Sequence, residues 1–291
     1  MNKNAFRLVF SKRLGMLVPV AEAQPAQRKG AASGESANAA ASPNAAAEGE
    51  PACLPHAVQR TAVLVAAALG LWSAALMPAS AATLPTAGQV VQGAGSITSS
   101  GTQMTVQQNT PLLGVNWQSF NIGAGNAVQF VQPNAQAVAI NRVLGNDRSE
   151  IFGNLKANGQ VFLLNPNGVI FGASAQVDVG ALVASTARQA SQGADGAWTF
   201  SDKGTGQIIN QGHIRAQGDG QKGGFIVLDS AAQTGNSGTL EALRGGVALT
   251  VAQNTRIALD GQGLLNVSVD GAVLNALVQN QGLILADGGA V

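Results

Sequence analysis

A short pattern, Gly-x-[Ile/Leu]-x-Ala, recurs along the chain, at Gly153–Ala157, Gly212–Ala216, Gly238–Ala242 and Gly282–Ala286. In the last three, an asparagine stands two residues before the glycine, at Asn210, Asn236 and Asn280. A unit of one alternating apolar strand and one polar corner cannot bury its own apolar side chains, so it must stack on copies of itself. The glycines lie 59, 26 and 44 residues apart, and 44 reads as two times 22. A repeat of about 20 to 26 residues with few strands per unit matches one coil of a parallel β-helix. The fold expected is therefore all-β, a right-handed parallel β-helix with short extra-helical β strands, with Val, Ile and Leu stacked inward and asparagines laddered at the corners.

Composition agrees with strands and turns. Only 11% of the residues are charged, there is no tyrosine, and 37 of the 291 are glycine. Short apolar pieces recur from Leu84 to Asn146: Gln89–Val91, Met104–Val106, Val115–Trp117, Ala127–Val131 and Ala137–Val143. Turn-forming groups such as Gly93-Ala94-Gly95 and Gln132-Pro133-Asn134 separate them. No long 3.6-residue apolar period follows, so few helices are expected.

Between Asn158 and Ser185 two apolar runs, Val161–Leu164 and Val169–Phe171, flank Asn165-Pro166-Asn167-Gly168. Asparagine suits the first corner of a β-turn and proline presets φ at the second. Asn167 tolerates the left-handed φ that a turn can require at the third, and Gly168 follows. In a coil the flanking runs join parallel stacks above and below, and the tetrapeptide becomes an outside corner that a partner can read.

The first 81 residues have a different character. Residues 1–22 mix Lys3, Arg7, Lys12 and Arg13 with apolar side chains, and 23–57 form an Ala/Pro-rich linker that cannot bury enough surface to order itself. From Thr61 to Met77 the 17 residues carry no charge, and Pro78-Ala79-Ser80-Ala81 follows. This reads as the hydrophobic core and A-x-A cleavage site of a secretory signal, spanning 58–81, with Ala79 and Ala81 framing the site. Cleavage is expected after Ala81, or after Ala82 as second choice. The region is expected to be disordered or helical. The body divides into a core at 82–205 and further coils at 206–291.

Residues 1–81 hold seven Lys or Arg against four Glu, and 82–291 hold nine against eleven acids. No basic surface for nucleic acid remains in the second part. The one cysteine, Cys53, precedes the apolar segment, so the mature chain has no disulfide and no thiolate metal site. The only histidine after the signal, His213, falls on a solvent-facing strand position. Asp147, Arg148 and Glu150 form the one dense charge cluster, which reads as a solvated corner. Asp-Gly pairs at Asp219, Asp260, Asp270 and Asp287 do not fall into a calcium-binding period. No nucleotide-binding glycine motif is present, and no cofactor is expected. Nine scattered basic residues argue against a β-helical polysaccharide-active enzyme, so an enzyme is not expected.

The opening MNKNAFRLVFSKRLGMLVPVAE resembles the extended signal-peptide region of two-partner secretion exoproteins, with Asn2, Phe6, Arg7, Phe10, Lys12 and Glu22 at matching positions. LPTAGQVVQGAGSI, NWQSFNIGAGNAVQFVQPNAQAVAINRV and ANGQVFLLNPNGVIFGASAQVDVGALVAST resemble their filamentous haemagglutinin-type N-terminal secretion domain, in the same order. The resemblance implies export by the general secretory machinery into the periplasm of a Gram-negative bacterium. It then implies recognition by the POTRA domains of a cognate outer-membrane β-barrel transporter, and release at the cell surface. Asn165, Pro166, Asn167 and Gly168 occupy the motif tied to productive secretion, which can equally be a structural turn. A second Asn-Pro-Asn-Leu motif found in many relatives is missing; the nearest match is Gln132-Pro133-Asn134-Ala135. The cargo implied is a surface adhesin or haemagglutinin binding host glycans or cell surfaces. The alternative is a haemolysin or a contact-dependent inhibition toxin. With no polar cap after Asn280, the chain is expected to be the beginning of a longer exoprotein, a truncated relative or one part of a split reading frame.

Overall fold

The computed structural model describes residues 6–11, 16–21, 83–259, 265–271, 273 and 275–287. The residues fall into two compact units, Met1–Leu69 and Gly70–Val291. In the first, Phe6–Ser11 and Met16–Ala21 form a two-stranded antiparallel ribbon, with Phe6 opposite Ala21 and Ser11 opposite Met16. This departs from the disordered or helical state expected there. The aromatic and β-branched residues Phe6, Val9, Phe10, Val18 and Val20 favour the extended backbone.

In the second unit every described element is a strand, and each full coil from Ala127 onward carries three. Sheet one stacks, from last to first, Leu283–Asp287, Thr239–Leu243, His213–Ala216, Gln176–Val179, Asn154–Ala157, Ala127–Val131, Gln103–Gln108 and Gly95–Ser100. Sheet two runs Val247–Val251, Ile226–Ser230, Ala181–Ser185, Gln160–Leu164, Val138–Val143, Leu112–Trp117 and Gln89–Gln92. Sheet three runs Leu277–Asn280, Gln233–Asn236, Gln207–Asn210, Gly168–Phe171 and Ser149–Ile151. Successive strands within each sheet are parallel, except Gly95–Ser100 and Gln89–Gln92, which close the first end antiparallel. The fold is the expected right-handed parallel β-helix. Sheets one and three continue unbroken past residue 206.

The four stretches beginning at Gly153, Gly212, Gly238 and Gly282 stand on sheet one, in register, while a fifth match to the pattern, Gly180–Ala184, stands on sheet two. Met104, Val128, Leu155, Val177, Ile214, Leu240 and Ile284 form one inward column. On sheet two, Leu113, Ala139, Val161, Leu182, Ile226 and Val247 form another. All of these but Ile284 are buried, and Ile284 packs against the same core. The corner asparagines ladder as expected: Asn210 Nδ2 donates to Asn236 Oδ1 at 2.8 Å, and Asn236 Nδ2 to Asn280 Oδ1 at 2.7 Å.

The repeat arithmetic needs correction. Thr239 pairs directly with Leu283, so the 44-residue spacing is one coil and not two. The 59-residue spacing is two coils, with Gln176–Val179 between. The excess residues leave the coil after sheet two. Ala187–Gln192 and Trp198–Lys203 form one hairpin, Asn254–Leu259 and Leu265–Asp270 a second, and the two join as a four-stranded antiparallel sheet outside the helix. A second apolar cluster lies beneath it, where Phe162, Leu164 and Val183 of sheet two meet Trp198, Phe200 and Ile257. Phe162 contacts Trp198 and Phe200 edge-on, at centroid distances of 5.2 and 5.7 Å.

Asn236→Ala removes both links of the corner ladder and strands buried amide groups. Urea unfolding is expected to show a loss of about 1–3 kcal/mol with unchanged β circular dichroism.

Candidate functional site

The Asn165–Gly168 turn joins sheet two to sheet three. Val161–Leu164 lies between Val138–Val143 and Ala181–Ser185, and Val169–Phe171 between Ser149–Ile151 and Gln207–Asn210, all parallel. The two apolar runs therefore join separate stacks and do not pair with each other, as expected of a coil.

Gly168 N donates to Asn165 O at 2.9 Å, closing the turn, and Asn167 N donates to Asn165 Oδ1 at 2.9 Å. The left-handed position lies at the fourth residue of the turn and not at the third. Gly168 has φ +103° while Asn167 is not at positive φ, so the turn is not type II. A Cβ on Gly168 would also meet Gln207 O at 2.5 Å, because the next coil crosses directly above.

Asn165 is wholly buried, which corrects the expectation of a tetrapeptide displayed to solvent. Its Nδ2 donates to Asp147 O and to Ser149 Oγ, each at 3.0 Å, in the preceding coil. Its backbone N–H donates to Ser185 O at 2.9 Å in the following one. One residue, through its side chain and its backbone, thus stitches three coils together. Asn167 is exposed and Pro166 partly so, and Asn167 Nδ2 still donates to Gly145 O at 2.9 Å. In the next coil the same corner expands into the 187–203 hairpin, whose return strand rests on the turn. Gly206 N donates to Pro166 O at 3.0 Å, and a Cβ on Gly204 would collide with that oxygen.

The remaining candidates lie elsewhere. Gln132–Ala135 turns between sheets one and two, a different corner, with Gln136 N and Ala137 N bonded to Asn134. Asp147, Arg148 and Glu150 sit beside the Asn165 turn, where Arg148 and Glu150 pair at 2.8 Å on the surface and Asp147 contributes its backbone carbonyl. An exposed pair of that kind adds about 0–1 kcal/mol. His213 faces outward on sheet one, Nε2 3.4 Å from Glu241 Oε2. Ala79, Ala81 and Ala82 lie outside the described residues, as do Asp260 and the 61–77 apolar run. Among the described residues no group of His, Cys, Asp or Glu could hold a metal ion, and no helix is long and apolar enough to cross a membrane.

Residues 79–289 match the TPS secretion domain family. The chain belongs to that family. Residues 1–49 match the Extended Signal Peptide of Type V secretion system. Together they make the chain part of a Sec-dependent two-partner secretion exoprotein, delivered to the cell surface or medium of a Gram-negative bacterium. A heme/hemopexin-binding protein of Haemophilus influenzae (strain ATCC 51907 / DSM 11121 / KW20 / Rd) is 36% identical over 195 residues, 65% of this chain and 21% of that protein. A second protein of the same name from Haemophilus influenzae is 46% identical over 88 residues, 30% of this chain and 10% of that protein. This chain thus matches about a fifth or less of either relative's length. The crystal structure of the HMW1 secretion domain from Haemophilus influenzae superposes with a TM-score of 0.61 at 28% identity, covering 70% of this chain and 54% of that one.

Short strands outside the helix were expected from the sequence, but where they lie and the buried Lys203–Asp229 pair beneath them were not. One signal was available: Val161–Leu164 is continuously apolar where a half-covered strand alternates, and all four residues are buried because both faces are covered. Asn165→Ala is expected to cost about 1–3 kcal/mol by stranding buried partners, and Gly168→Ala a similar amount through backbone strain. Asn167→Ala, at an exposed position, should cost less than about 1 kcal/mol. Chemical denaturation of the three variants orders them.

Proposed function

We propose that the β-helical unit is the secretion-recognition segment of a larger surface-exposed or secreted exoprotein, read in the periplasm by the POTRA domains of a cognate outer-membrane β-barrel transporter. The observation that carries this reading is the family match across residues 79–289. Two surfaces suit recognition. Pro166 and Asn167 project from a corner whose other two residues are locked into the stack. Gly95–Ser100 offers an uncharged outer strand edge, without the lysine or proline that commonly guards such an edge against a further strand. Folding of successive coils outside the cell then gives export its direction, since each coil adds its own hydrogen bonds and buried column to the last.

For the cargo, the names of two relatives favour a haem- or hemopexin-binding exoprotein beside the host-surface adhesin. The reading is non-enzymatic, and no observation favours a haemolysin or contact-dependent inhibition toxin over either.

The double variant Pro166→Ala/Asn167→Ala separates recognition from folding. With the transporter co-expressed, secretion into the medium is expected to fall by about tenfold or more while denaturation of the purified chain changes by less than about 1 kcal/mol. Undiminished secretion by this stable variant would remove the corner from the recognition surface.

A further inference from the structure

Lys203 and Asp229 have no exposed side-chain surface, and Lys203 Nζ lies 2.5 Å from Asp229 Oδ1. Lys203 ends the hairpin strand Trp198–Lys203 and Asp229 sits within Ile226–Ser230 of sheet two, so the pair bolts the outer sheet to the helix. All three ammonium protons have acceptors, the other two being Ala252 O at 2.9 Å and Thr255 Oγ1 at 2.8 Å. The carboxylate is equally enclosed. Thr250 Oγ1 and Thr255 Oγ1 donate to Oδ1 and Ser185 Oγ donates to Oδ2, each at 2.7 Å. Burial pulls the Lys203 ammonium below the usual lysine range, and the adjacent Asp229 opposes that pull.

These groups become available in chain order: Ser185, Lys203, Asp229, Thr250, Ala252, Thr255. The hairpin can close on itself using residues 187–203 alone. Docking it is a different matter, because covering Phe162 with Trp198 and Phe200 carries Lys203 into the interior. A charge taken there without its partner costs several kcal/mol. We propose that the Lys203–Asp229 pair is a folding-order lock that keeps the 187–203 hairpin undocked, and Phe162 uncovered, until the chain through Thr255 has arrived. The coils up to Ala181–Ser185 stack first, and the outer sheet seals them in one later step. The lock acts through desolvation and is independent of which transporter reads the segment.

Pulse-labelling hydrogen exchange during refolding of the full 291-residue chain tests the order. Amides of Trp198–Lys203 are expected to gain protection together with Ile226–Ser230 and Asn254–Leu259, after Gln160–Leu164 and Ala181–Ser185. Lys203→Met removes the charge and keeps the bulk, so hairpin protection should advance by roughly tenfold in rate, towards the early phase. Asp229→Asn keeps the shape and removes the counter-charge, so the hairpin amides should lag by a similar factor or stay unprotected while the early coils remain protected. Should Lys203→Met prove too unstable to refold, the apolar pair Lys203→Met/Asp229→Leu takes its place with the same expected advance. Hairpin protection that coincides with Ala181–Ser185 in the unaltered chain overturns the proposal. So does an unchanged order in the charge-removing variants.

Discussion

Hydrogen bonding between adjacent coils in strict parallel register is the constraint on which the rest of this molecule depends. A parallel strand satisfies its backbone only through its neighbours above and below, so no coil is stable alone. Register then decides which side chains meet. A slip of one residue would turn the Leu155–Val177–Ile214–Leu240 column out to water. The corner residues hold that register. Asn210, Asn236 and Asn280 bond only when their coils are aligned, and Asn165 reaches the coil before through its side chain and the coil after through its backbone.

The Asn-Pro-Asn-Gly corner shows how one short motif serves structure and surface together. Asn165 and Gly168 are committed to the stack, one by buried hydrogen bonds and the other by a backbone conformation and closeness that a side chain would spoil. Pro166 and Asn167 remain at the surface between them. The structural role of the motif therefore falls on Asn165 and Gly168, and the recognition proposed for this corner falls to Pro166 and Asn167. The corner also supports the base of the 187–203 hairpin, which places it where the helix and its outer sheet meet.

That outer sheet changes the character of sheet two. A β-helix wall ordinarily faces the core on one side and water on the other, but here Phe162, Leu164 and Val183 are covered as fully as Val161 and Leu163. The cover needs a charged pair at its edge, and Lys203 with Asp229 is satisfied by groups from four separate strands and loops. Apolar residues of equal volume would make a sheet of comparable stability. What the charges add is a dependence on partners that lie far apart in the chain.

Much of the coil was legible in the residues. The Gly-x-[Ile/Leu]-x-Ala stretches at Gly153, Gly212, Gly238 and Gly282 do stack on one sheet and the corner asparagines do ladder, because strand alternation and corner chemistry are local properties that recur with every coil. The order of family motifs located the signal and the secretion domain for the same reason. The spacing between matches was misread, since a gap of 44 residues says nothing about whether the excess forms another coil or leaves it. The exposure of Asn165 was misread as well. A turn tetrapeptide specifies its own hydrogen bond, but burial depends on what the neighbouring coils bring to it. By itself the sequence determined periodicity, strand faces and turn positions, which rest on interactions within a few residues. Only the tertiary structure decided where the insertions pack, which corner atoms stay visible and where Lys203 finds its carboxylate, because those outcomes depend on contacts between residues 16 to 52 positions apart.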